Sequence, residues 1–497
     1  MLALSLCGLL LGGTIMCNNV EAGQKDNFYW LGQINKATDI INTSENLLTP
    51  EQGHKFAQVI QKVLDDGDKP GAAHPNLVIT FEPLLIAAGG PEVTMLHVGR
   101  SSQDMLTTIG FVQQRDELLA LSQALNSMQQ TLLALAEQHQ ETIIPNYTNG
   151  VAAQPNSLAH FLLGYAAAFA RDQERLQQCY ARLNRSPMGA TVLNGTGWPL
   201  NRDRMAAYLG FDGLAYNTYD AGQIYPNEAA MEVGGMTNAI AIHLTSFIEE
   251  IMQQYSQPRP WILLKEGQGN TYVSSAMPQK RNPGILNRVR GNCGTILGLS
   301  TQAAFRVHNI PPGMADGRFR GSDKMVSTTT KAIKDFDHIL QNLDIRPERA
   351  LEELNLDWTC SQEIADVMMR KYNIPFRTGH HFASEVVTYA RTNNVPPSDF
   401  TYAQAQEVYK QLAAADAALP AAFPMTEADW RAALNPVAIV HNRAVKGGPQ
   451  TAELKLMLQQ ERTKLETNVN WQKKASQKIK AAETKLNNDF AALLNQQ

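Results

Sequence analysis

Apolar residues recur at three- and four-residue spacing along most of this chain, the period of a helix with one buried face. Leu118, Leu119, Leu121, Leu125, Met128, Leu132 and Leu135 keep one face apolar over about five turns. Long amphipathic segments follow at residues 238–255 and 285–304. No strand pattern interrupts these helices, so the spacing predicts an all-α fold built on a long central bundle. Residues 25–105 are more broken, by Asp66-Gly67, Pro70-Gly71 and Gly89-Gly90-Pro91, as expected for a small leading domain. A mixed region after Asp357 is broken by Pro375, Pro396-Pro397, Pro420 and Pro424, and Gly447-Gly448-Pro449 precedes a last amphipathic helix carrying Leu454, Leu458, Leu465, Ile479, Leu486, Phe490 and Leu493. The expected divisions are a helical domain at 23–106, the bundle at 107–357, a small helical domain at 358–446 and the final helix at 447–497.

Composition narrows the class. The chain has 497 residues, 44% hydrophobic and 18% charged, enough to bury a large core. A net charge of -4 gives no general attraction to nucleic acid or to an anionic membrane, which favours a small-molecule function. Five cysteines, at 7, 17, 179, 293 and 360, show no paired spacing, so neither a disulfide framework nor a zinc site is expected. No phosphate-cradling glycine loop or histidine cluster calls for a metal or organic cofactor. Residues 1–16 are nearly continuous apolar and small, and Val20-Glu21-Ala22 follows at the spacing a signal peptidase reads, although no Lys or Arg precedes the apolar run. This predicts cleavage after Ala22 and a periplasmic or extracellular protein; the alternative is a cytoplasmic one.

The chemistry concentrates in Ser274-Ser275-Ala276-Met277-Pro278-Gln279-Lys280-Arg281-Asn282-Pro283, within a loop at 273–284. Stretches of this composition are ordinarily surface connections; the order of residues sets this one apart. Elimination beside a carboxylate needs a base for a weakly acidic C–H, then donors for the enediolate that forms. Ser274 is the candidate base, Lys280 the cation that would lower its pKa and hold the carboxylate, and Asn282 a neutral donor that fixes loop or substrate. Backbone N–H groups of the loop would complete the oxyanion site.

The run resembles the signature loop of the fumarase/aspartase superfamily, whose members eliminate across a carbon–carbon bond and usually release fumarate. Taken alone, it looks equally like adenylosuccinate lyase. Other segments resemble the argininosuccinate lyase branch: His97-Val98-Gly99-Arg100-Ser101-Ser102-Gln103-Asp104, then Thr148 to Pro155, then Ser186-Pro187-Met188-Gly189-Ala190 with Gly195-Thr196-Gly197-Trp198-Pro199-Leu200-Asn201-Arg202, and lastly Pro375-Phe376-Arg377 with His380. The resemblance covers roughly residues 90 to 390. It implies a three-domain, tetramer-forming carbon–nitrogen lyase that eliminates an amine from an N-substituted aspartate. By position in the matched motifs it implies that Ser101, Ser102, Gln103, Thr148, Asn149, Gln154, Ser275 and Met277 face a dicarboxylate, and that the motifs of three subunits meet in each site of a homotetramer.

Departures from the branch fall in the substrate-facing segments. Asn149 stands where the branch has histidine, and an amide cannot exchange a proton near neutral pH. Ser102 replaces an arginine, and Gln103 an asparagine. Residues 308–316 lack the Tyr-Asn-Lys-Asp-Leu-Gln pattern, and Val273 replaces a glycine. These changes predict intact proton abstraction with an altered leaving group, such as an aminopolycarboxylate. His97 and His308, beside matched motifs, are the candidates to replace the missing imidazole, whereas His160 reads as a packed histidine and Arg100 as equally suited to a structural role. The competing readings are an adenylosuccinate lyase-like activity and a non-catalytic exported binding protein on the same fold.

Overall fold

The computed structural model describes residues 25–314, 322–415 and 419–496. The expected leader at 1–22 and residues 315–316 of the divergent segment lie outside them. In chain order the helices and strands are α1 Asn27–Ser44, α2 Pro50–Gly67, α3 Val78–Gly89, α4 Ser102–Gln138, β1 Ile143–Thr148, β2 Val151–Ser157, α5 Leu158–Leu183, α6 Arg202–Tyr208, α7 Tyr225–Gln254, β3 Ile262–Leu264, β4 Tyr272–Val273, β5 Arg281–Asn282, α8 Gly284–Val307, α9 Ser322–Gln341, β6 Leu343–Ile345, α10 Pro347–Leu356, α11 Ser361–Tyr372, α12 Phe376–Asn393, α13 Tyr402–Ala415, α14 Glu427–Ala433, α15 Pro436–His441 and α16 Thr451–Leu494. The fold is all-α; among the described residues it carries three two-stranded antiparallel ribbons, β1–β2, β3–β6 and β4–β5. Helical periodicity gave no sign of these strands. The expected division at 106/107 falls inside α4. Among the described residues no helix is long and apolar enough to cross a membrane.

By contact the chain forms two compact units, each assembled from separated segments. Of the described residues, the first takes in 25–113, 184–226 and 477–496. Its helices start where the sequence caps them. Asp26 accepts the Tyr29 N–H at the head of α1, and Thr49 and Gln52 form a reciprocal capping box on α2. Trp30, Leu31, Ile34, Phe56 and Phe81 are buried there. The end of α16 is tied in by hydrogen bonds of Tyr29 to Glu483 and of Tyr208 to Asp489.

The second unit, residues 114–183 and 227–476, holds the long helices. Phe169 of α5, Phe247 of α7 and Phe336 of α9 meet ring to ring in its core, with the Phe247 and Phe336 centroids 5.0 Å apart and perpendicular. Asp172 of α5, its side chain fully buried, bonds His243 Nδ1 of α7 at 2.7 Å and Arg175 at 2.9 Å. A separate apolar cluster around Phe382, Phe400, Tyr409 and Trp430 holds α11 to α15 together.

Candidate active site

The signature loop is pinned at its neck. β4 pairs with β5, Tyr272 opposite Asn282 and Val273 opposite Arg281. Arg281 fastens the ribbon from the side, its Nε donating to Glu266 Oε2 at 2.8 Å and its Nη1 to the Pro278 carbonyl at 2.7 Å. Asn282 Nδ2 donates to the Tyr272 carbonyl at 3.3 Å, so its amide serves the loop itself. Inside the neck, Ser274 N–H donates to the Lys280 carbonyl at 3.3 Å and Lys280 N–H to the Met277 carbonyl at 3.0 Å.

This tight turn aims main-chain donors at the serine hydroxyl. Ser274 Oγ accepts from Ala276 N–H at 3.3 Å and Met277 N–H at 3.1 Å. Donors to an oxygen favour its charged form, so both amides act to lower the energy of a Ser274 alkoxide. Neither was legible from side-chain identity. Ser274 is half-buried, while Ser275, Met277 and Lys280 are exposed along the loop.

The second motif folds around Asp104. Ser101 caps α4: its Oγ accepts the Gln103 N–H at 3.1 Å and donates to the Thr191 carbonyl at 2.7 Å, while Asp104 Oδ1 accepts the Ser101 N–H at 2.9 Å. Asp104 Oδ2 takes the amides of Gly189, at 3.0 Å, and Thr191, at 3.1 Å. Gly189 is suited to that approach, for its φ is +83° and a Cβ there would lie 2.9 Å from the Arg202 side chain. Burial pushes the Asp104 carboxyl up to about 6 against the pull of these amides. Gln103 Nε2 donates to the Gly222 carbonyl at 2.6 Å. The hydroxyl proton of Ser101 and one amide proton of Gln103 are therefore committed within the protein; Ser102 is exposed at the helix start. Arg100 is buried and structural, with Nη1 3.1 Å from both Asn35 Oδ1 and Thr38 Oγ1.

Thr148 and Asn149 sit at the tip of the β1–β2 hairpin, where Thr148 pairs with Val151. The two loop residues, Asn149 and Gly150, have φ of +53° and +76°, the left-handed pair of a tight two-residue hairpin turn. Asn149 thus has a backbone reason to be there. An Asn-Gly dipeptide is the sequence signal that would have announced the hairpin.

Behind the tip, Thr148, Gln154, Phe161, Glu250, Trp261 and Gln362 line part of a cavity of about 550 Å³. Gln154 Nε2 donates to Gln362 Oε1 at 2.5 Å. Tyr147 forms another wall, its hydroxyl donating to Glu353 at 2.6 Å and accepting from Gln254 and Trp261 at 3.0 Å each. Burial, with Glu353 beside it, holds the Tyr147 phenol well above its usual range. Glu250 and Gln362 were not singled out in sequence; the Glu249-Glu250 pair within an apolar helical stretch was the available signal. The lining includes no residue of the signature loop or of the α4 start. The expected site residues therefore occupy three separate segments: one loop, one helix start and one hairpin.

The histidines divide. His97 Nδ1 lies 3.3 Å from Glu82 Oε1, and His308 is exposed at the end of α8. His160 is half-exposed rather than fully packed, with Nε2 2.9 Å from the Gly447 carbonyl.

Comparison with known proteins bears on the same regions. The lyase family profile matches residues 86–298, and the argininosuccinate lyase C-terminal profile matches residues 358–441. Argininosuccinate lyase of Methanosarcina acetivorans is 28% identical over 474 residues, 94% of this chain and 92% of the relative. That of Pelotomaculum thermopropionicum is 32% identical over 352 residues, 69% of this chain and 75% of the relative. The crystal structure of EDDS lyase in complex with formate superposes with a TM-score of 0.84 at 24% identity, covering 94% of this chain and 92% of that one, a likeness of fold. Fold and loop define the class, a carbon–nitrogen lyase of the fumarase/aspartase superfamily, whose product is fumarate. Within that class, the chain belongs to the argininosuccinate lyase family.

Proposed function

We propose that this protein releases fumarate from an N-substituted aspartate other than argininosuccinate, by anti elimination through a carbanion. Ser274 removes the β proton; Lys280 and the loop amides hold the enediolate; the amine then departs. The observation that carries the reading is the Ser274 hydroxyl receiving two main-chain N–H groups in the loop that also presents Lys280. Those donors favour the ionised form of the hydroxyl and so help to supply the alkoxide that acts as base. A changed leaving group is supported by Asn149, which the hairpin turn uses and which cannot act as an acid, and by the short side chain of Ser102.

Assembly into a homotetramer is part of this reading. Ile242 of α7 and Leu297 and Phe305 of α8 are exposed in the single chain, at 55, 38 and 76%, as apolar faces awaiting other helices would be.

The direct test is to incubate the protein with fumarate and a panel of amines and follow fumarate absorbance. Consumption should occur with at least one amine other than arginine, and Ser274→Ala should reduce it at least about a thousandfold. No conversion with any amine, arginine included, or a Ser274→Ala variant of undiminished rate, overturns the reading.

A further inference from the structure

Elimination does not use Glu250, a carboxylate that lines the hairpin cavity. Glu250 projects from α7, half-buried, into a space whose lining, among the described residues, includes neither Lys nor Arg. No cation stands among the groups acting on its carboxyl: burial first, and then the neighbouring Glu249, raise its pKa. Around it are the apolar and aromatic side chains of Phe161, Ile251 and Trp261, and the amides of Gln154 and Gln362.

Those surroundings choose among ligands by charge. A dicarboxylate placed beside Glu250 would meet a like charge in a partly desolvated space with nothing to offset it. An ammonium or guanidinium would neutralise the carboxylate, and the aromatic rings around it add a favourable cation–π contribution. The volume, about 550 Å³, lies within the range of small-molecule sites. Thr148, by contrast, is exposed at the hairpin tip, on the rim of the same cavity. On this ground the dicarboxylate end of a substrate would stay near the exposed hairpin tip, and its amine end would lie inward.

We propose that the cavity between the β1–β2 hairpin and α7 binds the released amine through a second positive charge on that amine, with Glu250 as its partner. Resting on the lyase reading above, this assigns the substrate class: aspartates whose nitrogen carries a chain ending in an ammonium or guanidinium group. Glu250 is a specificity residue here and takes no part in moving the proton.

The test uses matched amines with fumarate, diaminobutane against butylamine. The wild type should prefer the diamine in kcat/KM by about tenfold or more, the scale of one charge contact. Glu250→Gln, nearly the same shape, should bring that ratio close to one, chiefly through KM for the diamine, and Glu250→Asp should keep part of it. A wild-type ratio near one, with Ser274-dependent turnover of both amines, overturns the cation site and leaves the lyase reading standing. So does a preference that survives in Glu250→Gln. If neither amine is converted, calorimetric titration of diaminobutane into wild type and Glu250→Gln decides: heat confined to the wild type supports the cation site while the lyase reading falls, and equal or absent heat in both overturns the site.

Discussion

Ser274 draws its support from main-chain atoms as much as from the lysine that sequence reading pairs with it. The order of residues in the loop made the serine, Lys280 and Asn282 stand out, because those side chains have recognisable jobs in elimination. The Ala276 and Met277 amides could not be read in the same way, since every residue but proline carries an N–H and only the turn aims it. Asn149 combines two features: its amide stands where the branch has histidine, and its left-handed backbone serves the hairpin turn. Asp39 carries no such signal in the sequence. It is fully buried in α1, and burial, partly offset by the Thr43 hydroxyl, raises its carboxyl from 3.8 to about 8. A carboxyl whose folded pKa is raised favours the folded state most when protonated in both states. That contribution is whole below pH 3.8, wanes as pH rises, and is gone above about 8. Melting temperatures measured from pH 5 to 9 (about two units either side of neutral) should fall more steeply for the wild type than for Asp39→Asn, and parallel curves would refute this.

At the scale of elements, the helices were legible because apolar periodicity is a local signal repeated over many turns. The β1–β2 hairpin was not, for physical reasons particular to it. Pro145 faces Pro155 across the ribbon, so neither can donate to the ladder there, and the outer half of each strand is half-exposed or exposed. What specifies the hairpin is its turn. Gly150 stands at φ +76° with open space where a Cβ would go, so Gly150→Ala meets no clash and isolates the backbone cost. That cost should be about 1 to 2 kcal/mol of stability by chemical denaturation. Because the turn carries Thr148 and backs the cavity, the same variant should also raise KM for the amine. Unchanged stability would mean that the turn does not need a glycine.

For the whole molecule, what periodicity could not supply was long-range pairing. Residues 25–113, 184–226 and 477–496 fold as one unit, and contacts such as Tyr29 with Glu483 or Lys478 with Asp212 join segments hundreds of residues apart. A helical pattern reports only neighbours three or four positions away. The same limit applies beyond the single chain, where the exposed Ile242, Leu297 and Phe305 carry the argument for association. Phe305 is 76% exposed, and burying a phenylalanine contributes about 1.5 to 3 kcal/mol, a gain repeated in each copy of a symmetric assembly. Phe305→Glu should therefore place an unpaired charge in that interface and dissociate it without altering the chain's own core. Light scattering should give four chain masses for the wild type and a smaller species for the variant, with helical content by circular dichroism the same in both. Turnover should fall with the mass if motifs from several subunits meet in each site. A wild-type monomer with full activity would overturn the assembly, and with it the expectation that the loop, the helix start and the hairpin are brought together by different copies of the chain.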